Sequence, residues 1–231
     1  MASLGEMASG IAHEIDNPLA IIKGKCEVIL HQLSQNKFES VQGQHDLGKI
    51  IETVDRISSI VQALRALARD GKNEELSQGN LHQIIDEVLA VSAERFRHSG
   101  ISLHWQAAVE AQGAPPDRPL ARCRLVLVGQ VILNLLNSSF DAVSLLAEKW
   151  VKIEVRHEEA WVEISVTDSG RGIPAELQPR LMQPFFTTKE VGRGTGIGLS
   201  VSKSMIESQG GRFFYDTQSP HTRFVMQLKK L

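Results

Sequence analysis

The sequence predicts two folds in tandem. Residues 1–72 read as an α hairpin forming a dimeric four-helix bundle, and residues 73–231 as an α/β two-layer sandwich. Three observations predict this. Apolar residues recur at helical spacing in two long stretches before residue 70. Asp70-Gly71-Lys72-Asn73-Glu74-Glu75 then reads as a helix stop followed by a polar linker. Beyond it, short alternating strands are interleaved with helices, which is the pattern of helices packed on a sheet.

The first helix is expected over residues 2–33, with Leu4, Ile11, Ile15, Leu19, Ile22, Cys26, Ile29 and Leu33 on one apolar stripe. Residues 34–46 are polar and read as a connector. A second helix follows over residues 47–69, with Leu47, Ile50, Ile51, Val54, Ile57, Val61, Leu64 and Ala68 on its inner side. A hairpin this long cannot bury both stripes by itself. Two copies forming a four-helix bundle are the economical solution. In the second part, helices are expected over residues 81–96, 125–146 and 197–208. Strands are expected over 101–106, 151–156, 161–167, 213–216 and 223–228, the last two as a hairpin. Residues 113–117 read as a turn.

Composition narrows the function classes. A chain of 231 residues with 42% hydrophobic and 23% charged residues is ordinary for a globular protein of one large domain or two modest ones. A net charge of −2 gives no argument for nucleic acid or an anionic membrane. There is no apolar run of membrane-spanning length and no signal-peptide pattern, so the expected setting is cytoplasmic. The start of the chain, almost at the first helix, leaves room for an upstream sensor or membrane segment. Cys26 and Cys123, the two cysteines, lie among apolar residues and read as reduced, buried thiols.

The first chemical feature is Gly10-Ile11-Ala12-His13-Glu14-Ile15-Asp16-Asn17-Pro18-Leu19. His13 falls opposite the apolar stripe, Glu14 is its neighbour, and Asn17 shares its face one turn on. Pro18 cannot donate to the carbonyl of Glu14, so the helix is expected to kink or loosen within a turn of His13. Alone, an exposed His-Glu pair is ordinary surface chemistry. Three later segments change that reading.

Val166-Thr167-Asp168-Ser169-Gly170-Arg171-Gly172-Ile173 sits at a strand end. A carboxylate there can accept from the exocyclic amine of adenine, and the two glycines let backbone approach closely. Lys189-Glu190-Val191-Gly192-Arg193-Gly194-Thr195-Gly196-Ile197-Gly198-Leu199 is a glycine-rich run ending in a helix, whose free N–H groups attract phosphate. It has neither Walker nor Rossmann spacing. Lys189 and Arg193 are its natural phosphate partners. On the helix of residues 125–146, Asn134, Ser138 and Asp141 form one polar strip that a hydrated magnesium–phosphate unit would satisfy. The remaining histidines (His31, His45, His82, His98, His104, His157 and His221) show no ligand spacing and read as surface or packing residues.

In this order the segments resemble the sensor histidine kinases of two-component systems. His13 to Pro18 resembles their H box, residues 134–142 the N box, and 168–172 the first glycine box. Gln183-Pro184-Phe185-Phe186-Thr187-Thr188-Lys189 resembles the F box, and 192–199 the second glycine box. The resemblance covers nearly the whole chain. It implies a dimerisation and phosphoacceptor hairpin followed by an ATP-binding sandwich of the kind shared with Hsp90, gyrase and MutL.

Under that resemblance His13 takes the γ-phosphoryl group, Glu14 is its base or orienting group, and Asn17 orients water for dephosphorylating a response regulator. Asp168 reads adenine with Ile173 against the ring, and Gly170 and Gly172 allow the approach. Thr188, Lys189, Arg193, Gly194, Thr195, Gly196, Ile197, Gly198 and Leu199 line the phosphates. Asn134, Asn137, Ser138 and Asp141 complete the nucleotide site, with Asn134 and Ser138 as magnesium ligands. The implied cofactors are ATP and Mg2+. The implied partners are a second copy and a response regulator receiver domain.

One position departs from the pattern. Ser138 stands where the family has a second magnesium-ligating asparagine, so weakened ATP use is expected. Asp16, where the family often has a basic or amide residue, lies beside the regulator-docking face. Two alternatives remain: a degenerate kinase acting as phosphatase or dimeric scaffold, supported by Ser138, and a chaperone- or topoisomerase-like ATPase. The latter is poorly served by Asn134 where those enzymes use a glutamate.

Overall fold

The computed structural model describes residues 4–35, 40–68, 76–106, 120–189 and 196–230. The chain divides into two compact units, Met1–Arg65 with Thr187–Ile197, and Ala66–Phe186 with Gly198–Leu231.

In the first unit α1 (Leu4–Ser34) and α2 (Ser40–Ala68) are two long helices. Lys25 Nζ lies 2.6 Å from Asp46 Oδ1. The two residues stand at similar distances either side of the connector, as in an antiparallel hairpin. The hydrogen bond from Lys25 holds the Asp46 carboxyl below the usual carboxylate range, partly offset by burial. α2 starts well before Leu47. The polar residues that read as a connector are satisfied inside the helix, where Gln42 and Lys25 both hydrogen-bond Asp46, itself 1% exposed. α1 runs unbroken through Pro18, which is buried, so the expected loosening does not end the helix. Among the described residues the stripes are partly open to solvent in the single chain: Leu19, Leu33, Leu47, Val54 and Ile51 are all about half exposed or more, while Ile22, Ile29, Ile50 and Ile57 are half-buried.

The second unit is a sandwich of one sheet and three helices. Its elements are β1 (Ser77–Asn80), α3 (Leu81–His98), β2 (Ser102–Gln106), β3 (Leu120–Cys123), α4 (Leu125–Val143), β4 (Trp150–His157), β5 (Trp161–Asp168), α5 (Gly198–Glu207), β6 (Arg212–Tyr215) and β7 (Thr222–Lys229). The main sheet has the order β2-β4-β5-β7-β6, parallel only between β2 and β4. Val151, Ile153 and Val155 alternate into the core from β4, as the sequence pattern requires of a sheet covered on one face. Leu81, Ile85 and Phe96 of α3, Ile132 and Leu136 of α4, and Ile206 of α5 are likewise buried.

β1 and β3 pair antiparallel as a separate two-stranded ribbon that the sequence pattern does not reveal. Ser-Gln-Gly-Asn and Leu-Ala-Arg-Cys are too short to alternate. What closes the ribbon is proximity: a Cβ on Gly79 would come within 2.6 Å of Leu125 Cδ2 and 3.0 Å of Cys123 Sγ. Asn80 then caps α3, its side-chain oxygen accepting from the N–H groups of His82 and Gln83 at 3.1 and 3.4 Å. A cap of this kind contributes roughly 1 kcal/mol. α4 ends at Val143 rather than at Leu146, because the Ser144 hydroxyl takes the Asp141 carbonyl at 3.0 Å and Leu145 turns out to solvent. The turn expected at residues 113–117 lies outside the described residues.

Two composition readings are corrected. α4 is long and apolar enough to cross a membrane, contrary to the sequence reading, but eight of its residues are buried in this unit. Cys123 is buried as expected, whereas Cys26 is exposed, because its stripe has no cover within one chain. Burial pushes the Cys123 thiol up to about 11. It therefore carries almost no thiolate at pH 8. In native protein at that pH, iodoacetamide is expected to spare Cys123 until denaturant is added, read by peptide mass. Modification of Cys123 in the native state at the denatured rate would contradict the buried, neutral thiol.

Candidate functional site

The second unit gathers its polar chemistry around the end of β5. Asp168, the last residue of that strand, is 3% exposed. Its carboxylate accepts the Gly170 N–H at 2.8 Å and hydrogen bonds from Ser139 on α4 and Thr222 on β7. Burial raises its pKa above the usual carboxylate value, and the three donors together with nearby His221 oppose that rise. Gly170 is obligatory here, since a Cβ would lie 2.7 Å from both Asp168 Oδ1 and Thr222 Oγ1. Further along, Gly172 adopts φ +81°, which a side chain would strain. Ile173 donates its N–H to the Tyr215 hydroxyl at 2.9 Å, and its carbonyl accepts from Gln178 at 2.8 Å. The loop from Asp168 to Ile173 is thus fixed at both ends.

α4 carries the predicted polar residues, and the structure divides them. Asn134 is half-buried and donates from Nδ2 to Ser202 Oγ on α5 at 2.9 Å. With its nitrogen committed, Asn134 turns Oδ1 toward the first residue of α5, where a Cβ on Gly198 would sit only 2.5 Å away. Ser138 is half-buried one turn further on, and its neighbour Ser139 is the residue that reaches Asp168. Asn137 and Asp141 instead meet α3. Arg95 Nη1 donates to Asn137 Oδ1 at 2.9 Å, Nη2 lies 3.9 Å from Asp141 Oδ1, and the guanidinium sits 4.0 Å over the Phe140 ring. Both members of the ion pair are well exposed, so it contributes at most about 1 kcal/mol.

The glycine-rich run belongs in part to the other unit. Thr188 and Lys189 are exposed, and the Lys189 N–H donates to Thr187 Oγ1 at 3.1 Å. Gly196 has φ +64°, Ile197 is buried, and Leu199 is half-buried in the first turn of α5. Arg193, Gly194 and Thr195 lie outside the described residues. On α1, Asp16 and Asn17 are exposed, Asn17 standing one helical turn after His13. The side chains of His13 and Glu14 lie outside the described residues.

Five contributors were not read from the sequence: Ser139, Ser202, Tyr215, His221 and Thr222. Ser139 had a signal, a second hydroxyl beside Ser138 on an apolar helix. His221, read as a surface or packing residue, packs its ring on Trp150 and also hydrogen-bonds the Gly170 carbonyl. Among the described residues no group of three or more His, Cys, Asp or Glu side chains is placed to hold a metal ion.

Comparison with known proteins matches this arrangement. Residues 3–73 match the His Kinase A (phospho-acceptor) domain, and residues 124–231 match the histidine kinase-, DNA gyrase B- and HSP90-like ATPase. The two-component sensor PprA of Pseudomonas aeruginosa is 35% identical over 99% of this chain, which spans 24% of that protein. The histidine-protein kinase AtoS of Escherichia coli is 29% identical over 91% of this chain, which spans 32% of its length. The catalytic domain of histidine kinase ThkA superimposes on 68% of this chain and 97% of its own, with a TM-score of 0.58 and 27% identity. A crystal structure of ThkA in complex with the response regulator TrrA covers 99% of this chain and 62% of that one, with a TM-score of 0.69 and 22% identity, a likeness of fold. With both domain types present in order, this chain belongs to the sensor histidine kinases of two-component systems and carries their phosphoacceptor and ATPase domains.

Proposed function

We propose that this chain binds ATP in residues 73–231, phosphorylates His13 in residues 1–72, and passes the group to an aspartate on a response regulator. The observation that carries the reading is the buried Asp168 carboxylate, fixed at a strand end beside a glycine whose missing Cβ makes room for the Asp168 and Thr222 side chains. A carboxylate held in this way can accept from the adenine amine. Ile173 lies against the ring, with Gly172 beside it. The resemblance to the F box and second glycine box assigns Thr188, Lys189, Arg193 and the glycines at 194, 196 and 198 to the phosphates.

The donor set on α4 fits a magnesium ion. Asn134 offers a carboxamide oxygen, because Ser202 occupies its nitrogen, and Ser138 adds a hydroxyl one turn on. An ion held there supplies charge neutralisation for the phosphates. In the transfer, an imidazole nitrogen of His13 forms a bond to the γ-phosphorus as the bond to the bridging oxygen breaks and ADP leaves. Glu14 orients the ring and takes its other proton. Asn17, exposed on the same face, orients water for hydrolysis of the regulator's aspartyl phosphate. ThkA is bound to a response regulator in its crystal structure, and the same class of partner is proposed here.

The exposed stripes of α1 and α2 support a homodimer, in which Leu19, Leu33, Leu47 and Ile51 close a four-helix bundle with a second copy. Sedimentation is expected to give twice the 25.5 kDa chain mass, whereas a single chain mass at micromolar concentration would refute the bundle.

γ-Labelled ATP with magnesium is expected to give an acid-labile, base-stable label on the native chain and none on His13→Gln. Label surviving in His13→Gln would displace the nucleophile. In the same assay Asn17→Ala is expected to label normally but to lose dephosphorylation of a phosphorylated receiver. Ser138→Asn is expected to label faster at low magnesium, and an unchanged rate would remove the serine as the reason for weak metal use. A native chain that binds ATP without labelling would favour the phosphatase or scaffold reading.

Asp168 gives a prediction with opposite signs for binding and stability. Because burial raises its pKa in the folded chain, ionisation opposes folding. The stability it lends is full below the unfolded value, near 3.8, and is lost as pH rises through the higher folded value. Asp168→Asn is therefore expected to abolish ATP binding by calorimetry while raising the melting temperature of nucleotide-free protein at pH 7. That gain should shrink toward pH 4. A variant less stable than the parent at pH 7 would show that the hydrogen bonds outweigh desolvation.

A further inference from the structure

His221 also holds the loop that follows Asp168. Its Nδ1 lies 3.2 Å from the Gly170 carbonyl oxygen, which also accepts the Thr222 N–H at 3.2 Å. A carbonyl only accepts, so Nδ1 carries the proton, and the partner sets the tautomer. The imidazole is itself fixed. It meets the Trp150 indole edge-on, with ring centroids 4.8 Å apart and an interplanar angle of 76°. The N–H of His221 donates to Ser219 Oγ at 3.2 Å.

Trp150 is tied to the same loop through its backbone, its carbonyl accepting the Ser169 N–H at 3.0 Å. The Ser169 hydroxyl in turn donates to the Glu148 carbonyl at 2.8 Å. Three consecutive residues are thus held by three sources: Asp168 by Ser139 and Thr222, Ser169 by β4 and the segment before it, and Gly170 by β7 and His221. The last link matters most for recognition. Gly170 joins two peptides: the one before it donates its N–H to Asp168 Oδ1, and the one after it carries the carbonyl that His221 holds, so the grip on the second restrains the first across a single Cα.

We propose that His221 is a positioning residue of the nucleotide site. Through the Gly170 carbonyl it restrains the backbone of Gly170, whose N–H orients Asp168, and so sharpens discrimination for a purine bearing a 6-amino group. The inference rests on the reading of Asp168 as the adenine acceptor.

The test compares ATP with purine riboside triphosphate, which lacks the 6-amino group, by calorimetry on the full chain and on His221→Ala and His221→Asn. In the parent, ATP is expected to bind more tightly than the analogue. His221→Ala is expected to lose roughly threefold to tenfold in ATP affinity, the worth of one hydrogen bond, with little change for the analogue. His221→Asn keeps a side-chain N–H donor of similar reach and is expected to recover most of the preference. Equal weakening of both nucleotides in His221→Ala, or no recovery in His221→Asn, would overturn the positioning role and leave the Asp168 reading intact. No preference in the parent would overturn the Asp168 reading and this inference with it. A fold-wide defect would show as a lowered melting temperature in both variants without the selective loss, and would also count against it.

Discussion

The second domain depends on satisfying one carboxyl group held out of water, Asp168, at the end of β5. A buried carboxylate without partners is protonated or strongly destabilising. Asp168 is kept by donors from three separate elements, Ser139 on α4, the Gly170 N–H of the following loop, and Thr222 on β7. Those donors converge only if α4 lies over the sheet near the end of β5, and if β5 and β7 pair with Asp168 opposite Thr222, as they do. The helix packing, the strand register and the missing side chain at residue 170 are therefore parts of one constraint. The carboxylate also explains why the tail of β5 departs from alternation, with every residue from Ile164 to Asp168 buried.

The hairpin obeys a different rule. Its helices are organised by apolar stripes whose described members are partly open in one chain, and the ion pair Lys25–Asp46, with the carboxylate buried and the lysine partly exposed, joins α1 to α2. Such a pair adds little net stability when weighed against desolvation, yet removing one partner strands the other. It suits a role in setting how the two helices align. Hydrophobic area, by contrast, is what a second copy would add.

Much of this was legible because each motif has a local physical signature. Three strands of the main sheet were read from alternation and the last two as a closing hairpin, and α3 and α5 as helices, all to within a residue or two. Asp168, Gly170 and Gly172 stood out because a carboxylate followed by spaced glycines marks a strand end that backbone must approach. The ribbon of β1 and β3 was illegible, since its cohesion comes from Leu125 and Cys123 around Gly79 rather than from pattern. Periodicity grouped Asp141 with Asn134, but it could not foresee Arg95 reaching across from another helix to hold Asn137 and Asp141. His221 and Tyr215 were missed for the same reason, as each acts through a backbone atom distant in sequence. The connector was misjudged because polar residues were taken for loop, when Gln42 and Asp46 satisfy one another within a helix.

The aromatic residues that pack this domain have a consequence for anyone observing it. Trp105, Trp150, Trp161 and the lone Tyr215 all belong to β2, β4, β5 and β6, and the first 72 residues contain neither tryptophan nor tyrosine. Intrinsic indole and phenol fluorescence is therefore blind to the helical hairpin. Tyr215 touches Ile173, and Trp150 abuts His221 and Ser169, so two of these fluorophores stand at the rim of the loop after Asp168. An optical melt of the native chain reports the sandwich and its loop alone. Far-ultraviolet circular dichroism, dominated by helix, follows α1 and α2 as well, and a gap between the two curves measures how independently the halves unfold.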